Sequence, residues 1–95
     1  MSDYGKKLRP QVYAAAQMMF EEHSSYDNIG DAIDWARETL IKHEGAGHIF
    51  QLIFENGKYF CCFAKPQWSA DHCSQGMDES HEAIVMAVCE YLSGV

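Results

Sequence analysis

Hydrophobic positions recur at helical spacing near both ends of this chain and form two short apolar runs in its middle, which predicts helices around a β-hairpin. The first predicted helix covers residues 8–23, and Pro10 suits its first turn. The apolar residues sharing its inner face are Leu8, Val12, Ala15, Ala16 and Met19. A second helix is predicted to run to about Lys42, with either Asp27 or Asn28 as its N-cap. Its core stripe consists of Ile29, Ala32, Ile33, Ala36 and Leu40.

The hairpin is predicted over residues 48–64, where Asn56-Gly57 separates two apolar runs. Asn and Gly accept the positive φ angles of a type I′ turn, so the turn sets Glu55 opposite Lys58. Counting outward from this pair predicts every cross-strand partner, and side chains alternate between the two faces. The face predicted to be core carries Phe50, Leu52, Phe54, Tyr59, Cys61 and Phe63.

The second face of the hairpin is also partly apolar. Its candidate contact residues are Ile49, Gln51, Ile53, Phe60 and Cys62. A hairpin with apolar groups on both faces needs cover on both sides. Either helices of the same chain supply that cover, or a second copy of the chain does, in which case this face is a homodimer interface.

Beyond the hairpin, Pro66 prevents regular ladder pairing at its own position, so residues 67–73 form either an edge strand or a long loop. A final helix is capped by Asp78 or Ser80. Its predicted core residues are Ala83, Ile84, Ala87, Val88, Tyr91 and Leu92. We therefore predict one α+β domain over residues 1–95, in the order α-α-β-β-(β)-α, with residues 1–7 as a flexible tail and the second and final helices on one sheet face.

Composition and charge narrow the possible partners. The net charge is −7, and from Gln11 onward four basic residues face thirteen acidic ones. Such a surface repels phosphate backbones, so we expect no direct binding of nucleic acid, whereas a basic protein partner is favoured. No apolar run is long enough for a membrane span, and we expect a cytoplasmic protein. In that compartment Cys61, Cys62, Cys73 and Cys89 are expected to be reduced thiols.

Acidic residues line the outer face of the second helix. Asp31, Asp34 and Glu38 lie opposite its core stripe, and Trp35 lies beside them. The carboxylates are either a solvated face or a docking surface for a basic partner, and Trp35 is either a boundary core residue or a binding anchor.

Candidate chemistry is confined to Asp71-His72-Cys73 and the nearby His81. These residues are of the types that a thiol-dependent enzyme uses, and Cys62, His72, Cys73 and His81 are also candidate metal ligands. Adjacent residues in extended chain point apart, however, and the spacing matches no zinc motif. We therefore assign no catalytic residue and predict no cofactor, keeping a small metal-binding or thiol-dependent enzyme as the alternative.

Two segments carry a family resemblance. The first segment is residues 26–36, Tyr-Asp-Asn-Ile-Gly-Asp-Ala-Ile-Asp-Trp-Ala, and the second is the terminal segment 81–92. With them, the pattern of residues 12–93 resembles the phage ABA sandwich domains of bacteriophages and prophages. The Trp and Ala spacing differs from that family, and residues 59–63 replace its Trp-rich strand. The resemblance implies a phage origin and a fold but no catalytic residue. We predict a small non-enzymatic protein-binding factor, a phage or prophage inhibitor or regulator of a host protein system.

Overall fold

The computed structural model describes residues 9–23 and 25–94, which form three helices and one three-stranded antiparallel sheet. The elements in chain order are α1 (Pro10–His23), α2 (Ile29–Glu44), β1 (Ile49–Glu55), β2 (Lys58–Ala64), β3 (His72–Cys73) and α3 (Ser80–Gly94). This order confirms the predicted α+β class. The predicted tail, residues 1–7, and Leu8 lie outside the described residues. None of the three helices is long and apolar enough to cross a membrane.

Local sequence signals account for both ends of α2. Asn28 is the N-cap, because its side-chain oxygen accepts a hydrogen bond of 2.8 Å from the backbone N–H of Asp31. The helix ends at Glu44, and Gly45 is its C-cap: its φ of 94° is accessible to glycine, and its N–H donates to the carbonyl of Ile41. Of the two N-cap candidates that the sequence offers, the structure selects Asn28.

The hairpin forms as predicted. Asn56 and Gly57 have φ angles of 53° and 78°, the positive values that a type I′ turn requires. All seven cross-strand pairs from Glu55–Lys58 to Ile49–Ala64 match the predicted register. The position of a two-residue turn therefore sufficed to predict the pairing of fourteen residues.

The third strand settles what the sequence left open. Residues 65–71 form a loop, after which His72 and Cys73 pair with Phe63 and Cys62 of β2. Ser74 then bonds twice to Cys61, donating its N–H to the carbonyl and accepting the Cys61 N–H on Oγ. The order of the sheet is β1-β2-β3, so β1 and β3 are the edge strands.

Helix α3 is the centre of the molecule. All residues from Ala83 to Glu90 are buried, because α1, α2 and β2 all pack against this helix. The prediction that α2 and α3 share a sheet face is wrong, since α2 packs on α3 and not on the sheet. In α1 the buried residues are Val12, Ala16 and Phe20, whereas the predicted Ala15 is exposed.

The position of α3 over β2 leaves part of the predicted core face uncovered. Cys61 and Phe63 on β2 are each only 1% exposed. On the outer strand, Leu52 is 40% and Phe54 63% exposed, so the prediction that this whole face is core is wrong at these two residues. One helix covers the width of β2, and β1 extends beyond it.

Candidate functional site

Strand β1 carries the main exposed apolar surface of the described residues. Ile49, Leu52 and Phe54 are all large, apolar and exposed, and Phe50 and Ile53 between them are half-buried. The other exposed large apolar residues, Met18, Ile29 and Ile41, are distributed over α1 and α2. Exposed apolar side chains grouped on one strand, with Leu52 and Phe54 on one face and Ile49 on the other, are more informative than scattered ones, since monomeric proteins commonly show the latter.

The backbone of β1 is open along the same stretch. Tyr59 and Cys61 of β2 use their backbone groups to bond Met77 and Ser74 on the β3 side. Their partners across the hairpin, Phe54 and Leu52, therefore direct their N–H and C=O groups away from β2. By alternation Phe50 does the same, and the described residues supply no hydrogen-bond partner to these three residues' outward groups.

In the part of the chain that the structure describes, residues 49–54 of this edge lack the usual sequence-level protections against pairing. Natural edge strands are kept apart by lysine, proline, bulges or short length. Residues 49–54 include no charged residue and no proline, and the register with β2 continues without a bulge over seven residues. The opposite edge is different, because β3 has only two residues. The sheet therefore offers one edge suited to strand addition.

The predicted dimer-face residues lie in three different environments. Ile49 and Gln51 are exposed, Ile53 and Phe60 are half-buried, and Cys62 is only 2% exposed. Loop residues 69–71 border a depression on this face together with Gln51, Ile53 and Cys62. Because Cys62 is buried, it cannot contribute accessible area to an interface on this face.

The prediction of four reduced thiols is corrected by a disulfide between Cys62 and Cys73. These residues lie directly opposite each other on β2 and β3, a proximity that depends on a strand pairing the sequence did not determine. Cys61 and Cys89 are free and buried. Burial raises the pKa of each of these thiols to about 12, with the nearby carboxylates of Glu90 and Glu22 adding to the effect at Cys89. Neither free cysteine is therefore a ready nucleophile.

We expect denatured but unreduced protein to react with a thiol reagent at two cysteines, and reduced protein at four. The cross-link joins residues 11 apart in sequence, so in the chain-entropy model reduction should lower the free energy of unfolding by about 3 kcal/mol. Urea unfolding with and without a dithiol reductant measures this loss. The double variant Cys62→Ser/Cys73→Ser is the control, because its stability should not respond to the reductant. Four reactive thiols without reduction would contradict the cross-link.

The candidate metal and nucleophile residues are not assembled into a site. The sulfur atoms of Cys62 and Cys73 are bonded to each other, and the imidazole Nε2 of His72 lies 3.1 Å from the Ala87 carbonyl, within hydrogen-bond distance. Burial lowers the pKa of His72, although the contact with Ala87 acts to raise it. His81 is half-buried in the first turn of α3. Within residues 9–23 and 25–94 no group of three His, Cys, Asp or Glu side chains could hold a metal ion.

The predicted acidic surface on α2 is present. Asp31, Asp34 and Glu38 are exposed; Asp31 accepts a hydrogen bond from Asn28, and Asp34 lies 4.0 Å from Arg37. Trp35 is half-buried, with its ring 4.6 Å from that of His23 and 6.0 Å from that of Tyr26. The indole therefore lies at the boundary between α1 and α2, beside the exposed carboxylates.

Sequence reasoning missed a polar cluster around Glu44, at the end of α2. The carboxylate accepts a hydrogen bond from the Tyr91 hydroxyl, and its Oε2 lies 3.0 Å from Nε2 of His48 and 3.7 Å from Nζ of Lys65. Burial acts to raise the pKa of Glu44, but the bonds from Tyr91 and His48 and the nearby positive charges outweigh it and hold the pKa below its usual value. The cluster joins the ends of α2, β2 and α3 and the start of β1.

Glu90 on α3 was also missed. Its side chain is only 2% exposed, and Oε1 accepts a hydrogen bond of 3.1 Å from the backbone N–H of Gln75. Oε2 has no partner. Burial is the main cause that raises the pKa of Glu90 to about 7. The apolar run that precedes Glu90, residues 83–89, could have indicated this burial, since a helix that is apolar on all sides is buried on all sides.

Comparison with models of protein families, with curated proteins and with solved structures finds no match to this chain. The resemblance to phage ABA sandwich domains thus stays a prediction. Evidence for function comes from the residues themselves, and among them the open apolar edge of β1 is the feature that ordinary folding does not explain.

Proposed function

We propose that this protein is a non-enzymatic protein-binding factor whose main contact surface is the open edge of β1. The observation that carries the proposal is that the same strand presents exposed apolar side chains together with backbone groups that no described residue pairs with. Backbone pairing at a sheet edge supplies affinity, and the alternating side chains supply specificity. The arrangement therefore suits an extended segment of a protein.

The acidic surface of α2 is proposed as a second contact region for a partner with basic groups. Asp31, Asp34 and Glu38 are exposed, and the chain carries a net charge of −7. Charge complementarity of this kind steers association and weakens as salt rises. In line with the phage resemblance, we propose that the partner of this acidic surface is a host or phage protein, and that the chain acts as an inhibitor or regulator of it.

Capture of a partner from a host-cell lysate tests the edge. We expect the wild-type protein to retain a partner that Leu52→Lys loses, because lysine at the centre of β1 opposes apolar strand pairing. Met18→Lys is the matched control, since Met18 is 70% exposed on α1 and receives the same charge. Equal capture by all three proteins would contradict a binding role for β1.

The acidic region is tested separately by the triple variant Asp31→Asn/Asp34→Asn/Glu38→Gln. Capture by wild type should fall as salt is raised, and the triple variant should capture less partner at low salt. Replacing Trp35 would be a poor probe, because its contacts with His23 and Tyr26 contribute to packing between α1 and α2. Capture that responds to neither salt nor neutralisation would remove this surface from the proposal.

A further inference from the structure

Three residues define what a partner strand on β1 must match. Phe50, Leu52 and Phe54 direct three N–H and three C=O groups outward at alternate positions along the strand. Their side chains lie on the face that carries Tyr59, Cys61 and Phe63, toward α3. A partner strand must therefore supply the same alternation of backbone groups and an apolar side chain at each of the three positions.

We infer that the occupant of this edge is β1 of a second copy of the chain, an inference that rests on the proposed function of β1. In an antiparallel pairing centred on Leu52, that residue faces Leu52 of the second copy, and Phe50 faces Phe54 of the second copy. Each facing pair exchanges two backbone hydrogen bonds, so all of the outward groups of the three residues are satisfied. The exposed Phe54 gains an aromatic neighbour in both halves of the dimer.

The charge pattern of β1 is compatible with this register. Glu55 is the only charged residue of the strand, and the register sets it opposite Ile49 of the second copy. No carboxylate therefore faces a carboxylate along the strand, although each chain carries a net charge of −7. The pairing is two-fold symmetric, so one patch serves as both halves of the interface.

The other edge of the sheet explains why association stops at two chains. After pairing through β1, the outer edges of the six-stranded sheet are the two β3 strands, each of two residues and each held to β2 by the Cys62–Cys73 disulfide. Such short edges offer little for further strand addition. The expected product is a closed dimer and not a filament.

Sedimentation velocity over a concentration series tests the dimer, with a mass of twice 10.8 kDa expected for wild type. In Leu52→Lys and in Leu52→Glu, like charges face each other across the two-fold axis, and we expect each dissociation constant to rise about tenfold or more. An equimolar mixture of the two variants should recover the dimer, because lysine then faces glutamate. This rescue excludes misfolding as the cause of the loss.

Met18→Lys should dimerise like wild type, since it adds the same charge away from β1. A mixture that stays monomeric while wild type dimerises would overturn the register. If Ile53→Lys loses the dimer and Leu52→Lys does not, pairing through the β1 edge is wrong and the dimer forms through the second sheet face, which carries Ile53. Wild type that is monomeric at every concentration, while Leu52→Lys still abolishes lysate capture, would overturn the second copy as occupant and leave the proposed function standing.

Discussion

Replacing Phe63 with alanine is expected to lower the free energy of unfolding by about 3–5 kcal/mol, the usual cost of removing a large buried aromatic side chain. Phe63 is 1% exposed and lies under α3 in the middle strand of the sheet. Its ring contacts five others within 6.0 Å between centroids, those of His48, Phe50, Trp68, His72 and Tyr91. The cavity would open at the junction of the hairpin, the loop and α3, where little can move to fill it. Urea unfolding measures the loss.

Phe54→Ala is the matched control for this prediction. Phe54 lies on the same face of the same hairpin, but it is 63% exposed and its ring contacts that of Tyr59 at 4.7 Å. Its replacement should cost about 1 kcal/mol or less, because little buried area is lost. The comparison is made at a concentration where sedimentation shows monomer, so that pairing through β1 does not contribute. Equal losses for the two variants would show that α3 covers β1 as well as β2.

The second large effect is a loss of stability between pH 5 and pH 8 that Glu90 causes. Its pKa is raised from 4.5 to about 7 in the folded protein. The folded state therefore binds more protons than the unfolded state in this range, and stability falls as the pH rises through the folded pKa. The linkage amounts to roughly 3 kcal/mol, which is fully present below the unfolded pKa of 4.5 and is lost progressively as the pH rises to about 7. Burial lowers the pKa of His72, so below the unfolded pKa of this residue the unfolded state binds more protons there than the folded state. The contribution of His72 to stability therefore rises with pH, opposite to that of Glu90.

The variant Glu90→Gln isolates this contribution. The glutamine oxygen can accept the N–H of Gln75 as the carboxylate does, but the side chain no longer titrates. Its amide nitrogen replaces the unpartnered Oε2 at a cost that does not depend on pH, so only the slope is diagnostic. Between pH 5 and pH 8, the unfolding free energy of the variant should rise relative to that of wild type by roughly 2.5 kcal/mol, measured by urea unfolding.

Glu38→Gln removes the same charge from an exposed position on α2 and should follow the wild-type profile over this range. A slope unchanged by Glu90→Gln would mean that the carboxyl of Glu90 ionises as readily in the folded protein as in the unfolded chain. That result would contradict the burial of Glu90 beside Gln75, and not only the size of its pKa shift.

The elements that local chemistry determines were predictable from the sequence. Asn28 is an N-cap because its side chain reaches an N–H three residues ahead, and Asn56-Gly57 is a type I′ turn because both residues accept positive φ. From that turn the alternation of side chains followed, which separated Cys61 from Cys62 and identified Cys61 as a core residue. The acidic surface of α2 followed in the same way from helical periodicity.

The candidate site was predictable only in part. The sequence pointed to β1 through Ile49 and Ile53, but it assigned Leu52 and Phe54 to the core and offered Cys62 as surface. A strand period states which residues share a face; it does not state how far a helix extends over that face, or which edge a later strand takes. Both depend on packing between segments that are distant in the chain.

The sequence by itself therefore determined the order of the helices and the hairpin, two candidates for the cap of α2 and the register of the hairpin, because each depends on neighbours within a few residues. Only the tertiary structure decided that α3 lies at the centre, that Cys62 meets Cys73, that Glu90 is buried and that β1 is an open edge. The physical reason is that burial and pairing between distant segments are set by how the elements pack together, which local patterns do not specify.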